Sequence, residues 1–162
     1  VIVAKCLNLP ENYFHLAAKE GEHCNSARAI WYPKLHEEAK SGQYRCGPHT
    51  DSGVLTLLWM DGLGLEIQTS SGKWISIENV PSNALLINIG DLLQEASGHK
   101  WRSTPHRVQA PRLNDNQRNQ DRLVLVLFLI LAADFPIPNR NQTQGEYLFD
   151  QFQKWKQAEK AD

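Results

Sequence analysis

Two histidines and one aspartate carry the chemistry that can be read first in this chain. His49 and Asp51 stand one residue apart in Pro48-His-Thr-Asp-Ser-Gly-Val, and His106 follows 57 positions after His49 in Ser103-Thr-Pro-His-Arg-Val. Two imidazoles and a carboxylate can hold one metal ion on a single face and leave the opposite face open, the arrangement used by non-haem Fe(II) oxygenases. Zinc accepts the same donor types, but the chain has no His-Glu-x-x-His helix of the kind that zinc hydrolases use. Residues two apart on a β-strand point to one side, so the spacing predicts that His49 and Asp51 reach one ion from a strand. His-x-Asp is nevertheless short enough to arise by chance, and its weight depends on what surrounds it.

The elements that must position these residues are predominantly β. Short β-prone pieces, Val54-Leu-Thr-Leu-Leu-Trp, Leu65-Glu-Ile-Gln, Lys73-Trp-Ile-Ser-Ile, Ala84-Leu-Leu-Ile-Asn-Ile and Arg122-Leu-Val-Leu-Val-Leu-Phe, are separated by Asp61-Gly-Leu-Gly, Ser70-Ser-Gly, Val80-Pro-Ser-Asn and Ile89-Gly-Asp. A further short strand is expected over Arg28-Ala-Ile-Trp-Tyr, stopped by Pro33. That many short strands predict a sandwich or barrel, and a ligand site inside one predicts a cupin-like jelly roll. Helices are expected at about 10–20, with a proline in the first turn, and at about 144–160, where Leu148, Phe152 and Trp155 make an apolar stripe. Residues 34–48 read as an exposed excursion and 111–121 as a flexible polar surface loop.

Composition narrows the class. The 162 residues suit one domain with a real core. Lys and Arg number 17 against 18 Asp and Glu, a formal charge of −1 that gives no general attraction to nucleic acid. A small-molecule substrate, neutral or anionic, is the expectation. No apolar run is long enough for a membrane span, the longest being 123–133. Cys6, Cys24 and Cys46 are odd in number and widely spaced, which predicts free thiols and a cytoplasmic, reducing setting. His15, His23, His36 and His99 have no partner pattern and are assigned no role.

A series of motifs in fixed order then carries a resemblance. Arg28-x-x-Trp-Tyr-Pro, His49-Thr-Asp-Ser-Gly, Leu55-Thr-Leu-Leu, Gly64-Leu-Glu-Ile, Gly72-Lys-Trp-Ile, Asn88-Ile-Gly-Asp, Arg102-Ser-Thr-Pro-His-Arg-Val and a strand opened by Arg122 succeed one another between about residues 25 and 135. In this the chain resembles the 2-oxoglutarate/Fe(II)-dependent dioxygenases, most closely the branch with isopenicillin N synthase, anthocyanidin synthase and the gibberellin oxidases. The resemblance implies a mainly β double-stranded β-helix with flanking helices, and Fe(II) held by His49, Asp51 and His106. It also implies 2-oxoglutarate as co-substrate, clamped at its far carboxylate by Arg122 and contacted by the hydroxyl of Tyr32, with O2 as oxidant. The implied reaction hydroxylates or desaturates a small organic substrate and releases succinate and CO2. A guanidinium suits the clamp because it is planar, permanently charged and offers paired donors.

Three departures from the family pattern bear on function. Val124 stands where the family usually has a serine two positions after the clamp arginine, and Ile30 where it often has asparagine two before the tyrosine. Each missing donor costs on the order of 1–3 kcal/mol if nothing replaces it, which leaves a catalytically silent cupin-like binding domain as the alternative. The third departure is length: the resemblance implies a helical N-terminal region upstream of the point matching Val1, so the chain is expected to be a single catalytic domain, 1–162, without that region. Asn88 and Asp91 are expected to shape a turn rather than touch the ion, and Arg107 to face away from it by strand alternation. Trp59, Leu65 and Trp74 are candidate cavity walls.

Overall fold

In the computed structural model, the described residues are 1–17, 23–116, 118–138 and 140–158. Eight strands alternate between two antiparallel sheets: β1 (Ser26–Tyr32), β2 (Tyr44–His49), β3 (Leu55–Met60), β4 (Leu65–Gln68), β5 (Trp74–Ser76), β6 (Leu86–Ile89), β7 (His106–Gln109) and β8 (Arg122–Leu129). One sheet has the order β1-β8-β3-β6 and the other β2-β7-β4-β5. Successive strands change sheet except at the β4–β5 hairpin, whose turn uses Gly72 at φ +84°, a conformation glycine adopts without steric cost. This winding is the jelly-roll, double-stranded β-helix.

Among the described residues four helices flank the sheets: α1 (Ile2–Cys6), α2 (Tyr13–Ala17), α3 (Asp91–Ala96) and α4 (Gln144–Ala158). The buried apolar cluster is Val54, Leu92, Leu93, Leu131, Ile137 and Tyr147, with Val3, Leu7, Phe14, Leu55 and Ile89 against it. It therefore lies where the helices meet one end of the first sheet, and the space between the sheets is left to a cavity. Along β8, Arg122, Val124 and Val126 are buried, whereas Leu123, Leu125 and Leu127 face outward and are exposed. Trp31 and Ile87, 64% and 62% exposed, extend this apolar outer face onto β1 and β6.

Several expectations change. Tyr44–His49 is a strand, not part of an excursion; Gly47 and Pro48 disguise it, and both are tolerated because β2 is a sheet edge with two register shifts against β7. The loop at 111–121 is pinned rather than free: the buried Asn119 side chain accepts from the amide of Leu35 and donates to the carbonyls of Leu35 and Leu113. The helix expected over about 10–20 begins at Tyr13, and residues 18–20 lie outside those described. On α4 the buried face is set by Gln144 and Tyr147, while Phe152 is exposed; the side chain of Trp155 and residues 159–160 lie outside those described.

Candidate metal centre and co-substrate cavity

His49 and His106 are direct partners across the β2–β7 pair, with ring centroids 4.3 Å apart. Each ring has its Nδ1 against a carbonyl two residues upstream, Gly47 O at 2.8 Å and Thr104 O at 3.0 Å. A carbonyl only accepts, so both Nδ1 atoms carry a proton, and Nε2 is the atom that each ring turns toward a ligand. The two Nε2 atoms lie 3.9 Å and 3.7 Å from Oδ1 of Asp51. All three candidate donor atoms fall within 4.8 Å of one another.

Asp51 is not on the strand, as β2 ends at His49. Other forces aim it. Its Oδ2 accepts from Thr56 Oγ1 at 2.6 Å and from Asn88 Nδ2 at 2.8 Å, leaving Oδ1 to face the imidazoles. Its backbone carbonyl accepts from the amide of Asp91 at 2.7 Å, and Leu92 N donates to Gly53 O. Gly90 is required at this crossing, because a Cβ there would stand 2.2 Å from Gly53 O and 3.0 Å from Asp51 O. Asp91 itself shapes the turn, accepting from Tyr147 Oη at 2.7 Å and Thr50 Oγ1 at 3.2 Å. Asn88 does more than expected, since it holds the carboxylate. Thr56 was not anticipated, although its inward parity on β3 is the signal that finds it.

The donor set is electrostatically poised for a cation. Burial lowers the pKa of both imidazoles, but contacts with Cys46, the Gly47 carbonyl and Asp51 overcome this at His49 and push it up to about 9. His106 is held below the ordinary value, first by burial and then by the charge on His49, against the pull of Asp51. The His49 ring therefore takes up a proton more readily than the His106 ring beside it.

The same cavity, about 330 Å³, is lined by both sheets and contains the three donors, Tyr32 and Arg122. Arg122 is 2% exposed; its Nε donates to Gly62 O and its Nη2 contacts Met60 Sδ, while Nη1 is buried with no hydrogen-bond partner among the described residues. An orphaned buried donor costs about 1–3 kcal/mol, and a carboxylate in the cavity satisfies it. Tyr32 is the cross-strand partner of Arg122, its ring centroid 5.3 Å from the guanidinium carbon. Burial raises the Tyr32 pKa, so its hydroxyl is a neutral donor. The neighbouring cross-strand pair is Ile30 and Val124, which also line the cavity and offer no donor.

Other candidates sort cleanly. Arg107 faces away, stacked on Trp74 and donating to Glu66 Oε2 at 2.6 Å and to Tyr44 Oη at 3.0 Å. Leu65 lines the cavity but Trp59 and Trp74 do not; Trp59 falls on the outward parity of β3 and donates to Ser82 O. His23 and His99 are engaged elsewhere, His23 accepting from the Asn25 amide and His99 beside Glu95.

Comparison with known proteins shows the family. The sequence profile of the 2OG-Fe(II) oxygenase superfamily matches residues 21–130, and the chain belongs to that family. It is 38% identical over 108 residues to validamycin A dioxygenase of Streptomyces hygroscopicus subsp. limoneus, covering 64% of this chain and 29% of that protein. It is 31% identical over 130 residues to a proline hydroxylase of Petromyces alliaceus, covering 78% and 40%. Among solved structures, a full-length Neurospora crassa protein in complex with alpha-KG superposes with a TM-score of 0.75 at 26% identity, over 91% of this chain and 50% of that one. A protein of the 2OG-Fe(II) oxygenase family from Caulobacter crescentus gives 0.76 at 28%, over 93% and 52%. The chain spans about half the length of these structures and less of the two sequence relatives.

Proposed function

We propose that the chain is one catalytic domain of an Fe(II)- and 2-oxoglutarate-dependent oxygenase acting on a small organic substrate. His49, Asp51 and His106 hold Fe(II); Arg122, helped by Tyr32, holds the far carboxylate of 2-oxoglutarate. The chemistry that bound Fe(II) supplies is oxidative decarboxylation of 2-oxoglutarate by O2 to succinate and CO2, coupled to hydroxylation or desaturation of the substrate. The carbonyls of Gly47 and Thr104 fix the imidazole tautomers, Thr56 and Asn88 turn one carboxylate oxygen to the ion, and the apolar walls exclude water.

One observation carries this reading: the three mutually oriented donors share a cavity with a buried guanidinium nitrogen that has no partner among the described residues. Succinate release that requires Fe(II) and disappears in His49→Ala is the expected result. Undiminished release in that variant refutes the assignment. The Ile30–Val124 pair favours a second reading, a catalytically silent domain that binds 2-oxoglutarate without consuming oxygen. Anaerobic calorimetry with 2-oxoglutarate, followed by oxygen uptake over a broad substrate screen, separates the two. Three cysteines without disulfide partners support a reducing, cytoplasmic location. Among the described residues no helix is long and apolar enough to cross a membrane.

A further inference from the structure

The cavity carries a second guanidinium. Arg102 lines it together with the three donors, and among the described residues Arg102 has no acidic ion-pair partner. Its one hydrogen bond is long, Nη1 to Gln68 O at 3.4 Å.

Strand registers place the two arginines at opposite ends of the cavity. On β3, Thr56 touches Asp51 while Met60, four residues and about 13 Å further along, touches Arg122. Arg102 instead precedes His106, in a segment tied to the end of β4 by the Gln68 amide and Pro105 O. The donors of the metal centre thus lie between a buried cation on one side and an exposed one on the other.

The backbone presenting Arg102 is held on both sides. Trp101 packs against the buried cluster, and the amide of Ser103 donates to Gln94 Oε1 at 2.8 Å. Beside the metal donors the cavity has apolar walls, among them Leu65, Ile67, Ile77, Leu86 and Phe128. An exposed cation that lines a cavity and has no acidic partner among the described residues attracts and orients an anion, and a guanidinium does so with paired donors.

We infer that Arg102 binds a carboxylate on the oxidised substrate, which is an organic acid whose apolar body lies along these walls. This rests on the oxygenase reading, in which Arg122 is already taken by 2-oxoglutarate.

The test uses the full chain under anaerobic conditions. Fe(II) and 2-oxoglutarate are titrated first by calorimetry. Octanoate, 3-phenylpropionate and 4-phenylbutyrate are then titrated into the loaded protein, each beside its carboxamide. The expected result is acid binding at least tenfold tighter than amide binding for one or more pairs. Arg102→Gln abolishes that preference, Arg102→Lys restores part of it, and both keep the wild-type affinities for Fe(II) and 2-oxoglutarate.

Equal binding of acid and amide, no binding of any acid, or a preference that survives Arg102→Gln overturns the inference and leaves the oxygenase reading intact. Weaker 2-oxoglutarate binding in Arg102→Gln overturns it too, since Arg102 then serves the co-substrate. If the wild-type chain takes up neither Fe(II) nor 2-oxoglutarate in the first titration, the oxygenase reading falls and the inference with it.

Discussion

Thr56 donates its hydroxyl proton to Oδ2 of Asp51 across 2.6 Å, so that the carboxylate turns Oδ1 toward the two imidazoles. A strand residue from the first sheet thereby sets the orientation of a donor that lies beyond the end of a strand in the second. Thr56→Val keeps the shape and removes the donor. We expect metal affinity to fall by about 10- to 100-fold, measured by anaerobic Fe(II) titration, with Thr56→Ser close to wild type. Unchanged affinity in Thr56→Val refutes the role.

Metal uptake should depend on pH with a definite sign. The His49 imidazole in the metal-free site is raised to about 9, and a protonated ring cannot ligate. Below that pH each ion must displace one proton, so apparent affinity rises with pH, by roughly tenfold per unit, and levels off above it. Calorimetry in buffers of different ionisation enthalpy reads the proton count directly. Affinity that does not change between pH 6.5 and 8 contradicts a proton held on His49 in the metal-free site.

Arg122 and Val124 are adjacent inward positions on β8 with opposite expected effects. Arg122→Met removes the charged clamp while filling much of its volume. We expect a loss of about 2–5 kcal/mol in 2-oxoglutarate binding, thirtyfold or more, with Fe(II) binding retained. Val124→Ser adds a donor beside the same carboxylate and is expected to tighten 2-oxoglutarate about fivefold, near 1 kcal/mol. Titration of the co-substrate into each variant decides both, and no change in Val124→Ser shows that the cavity already compensates for the valine.

Gly90→Ala places a methyl carbon 2.2 Å from the carbonyl oxygen of Gly53, backbone that cannot rotate away. Overpacking of this kind costs about 1–3 kcal/mol, lowering the thermal midpoint by several degrees. The same carbon lies 3.0 Å from the carbonyl oxygen of Asp51, so metal affinity should fall together with stability. A variant that melts like wild type shows that the crossing is looser than this packing.

The legible part of the sequence was the part in which local pattern and tertiary role coincide. His49, Asp51 and His106 stand in short motifs, and the five short β-prone runs that became β3, β4, β5, β6 and β8 are bounded by turn residues. β2 was hidden because Gly47 and Pro48 argue against a strand, and only its edge position with register shifts admits them. Thr56 and Asn88 were hard to assign for another reason. Their function is a contact with Asp51 set by which way β3 and β6 face, and no neighbouring residue in sequence records that. Phe152 misled because helical periodicity marks an apolar stripe without saying how much of the helix meets the core.

The outward leucines of β8 have a consequence for the molecule in bulk. With Val124 and Val126 on its other side, β8 has no water-loving flank beyond Arg122, and Trp31 and Ile87 widen the greasy wall that Leu123, Leu125 and Leu127 begin. A formal charge of −1 supplies almost no mutual repulsion to keep such walls apart. Such a face is expected to draw copies of the chain together in concentrated solution, which light scattering against protein concentration measures.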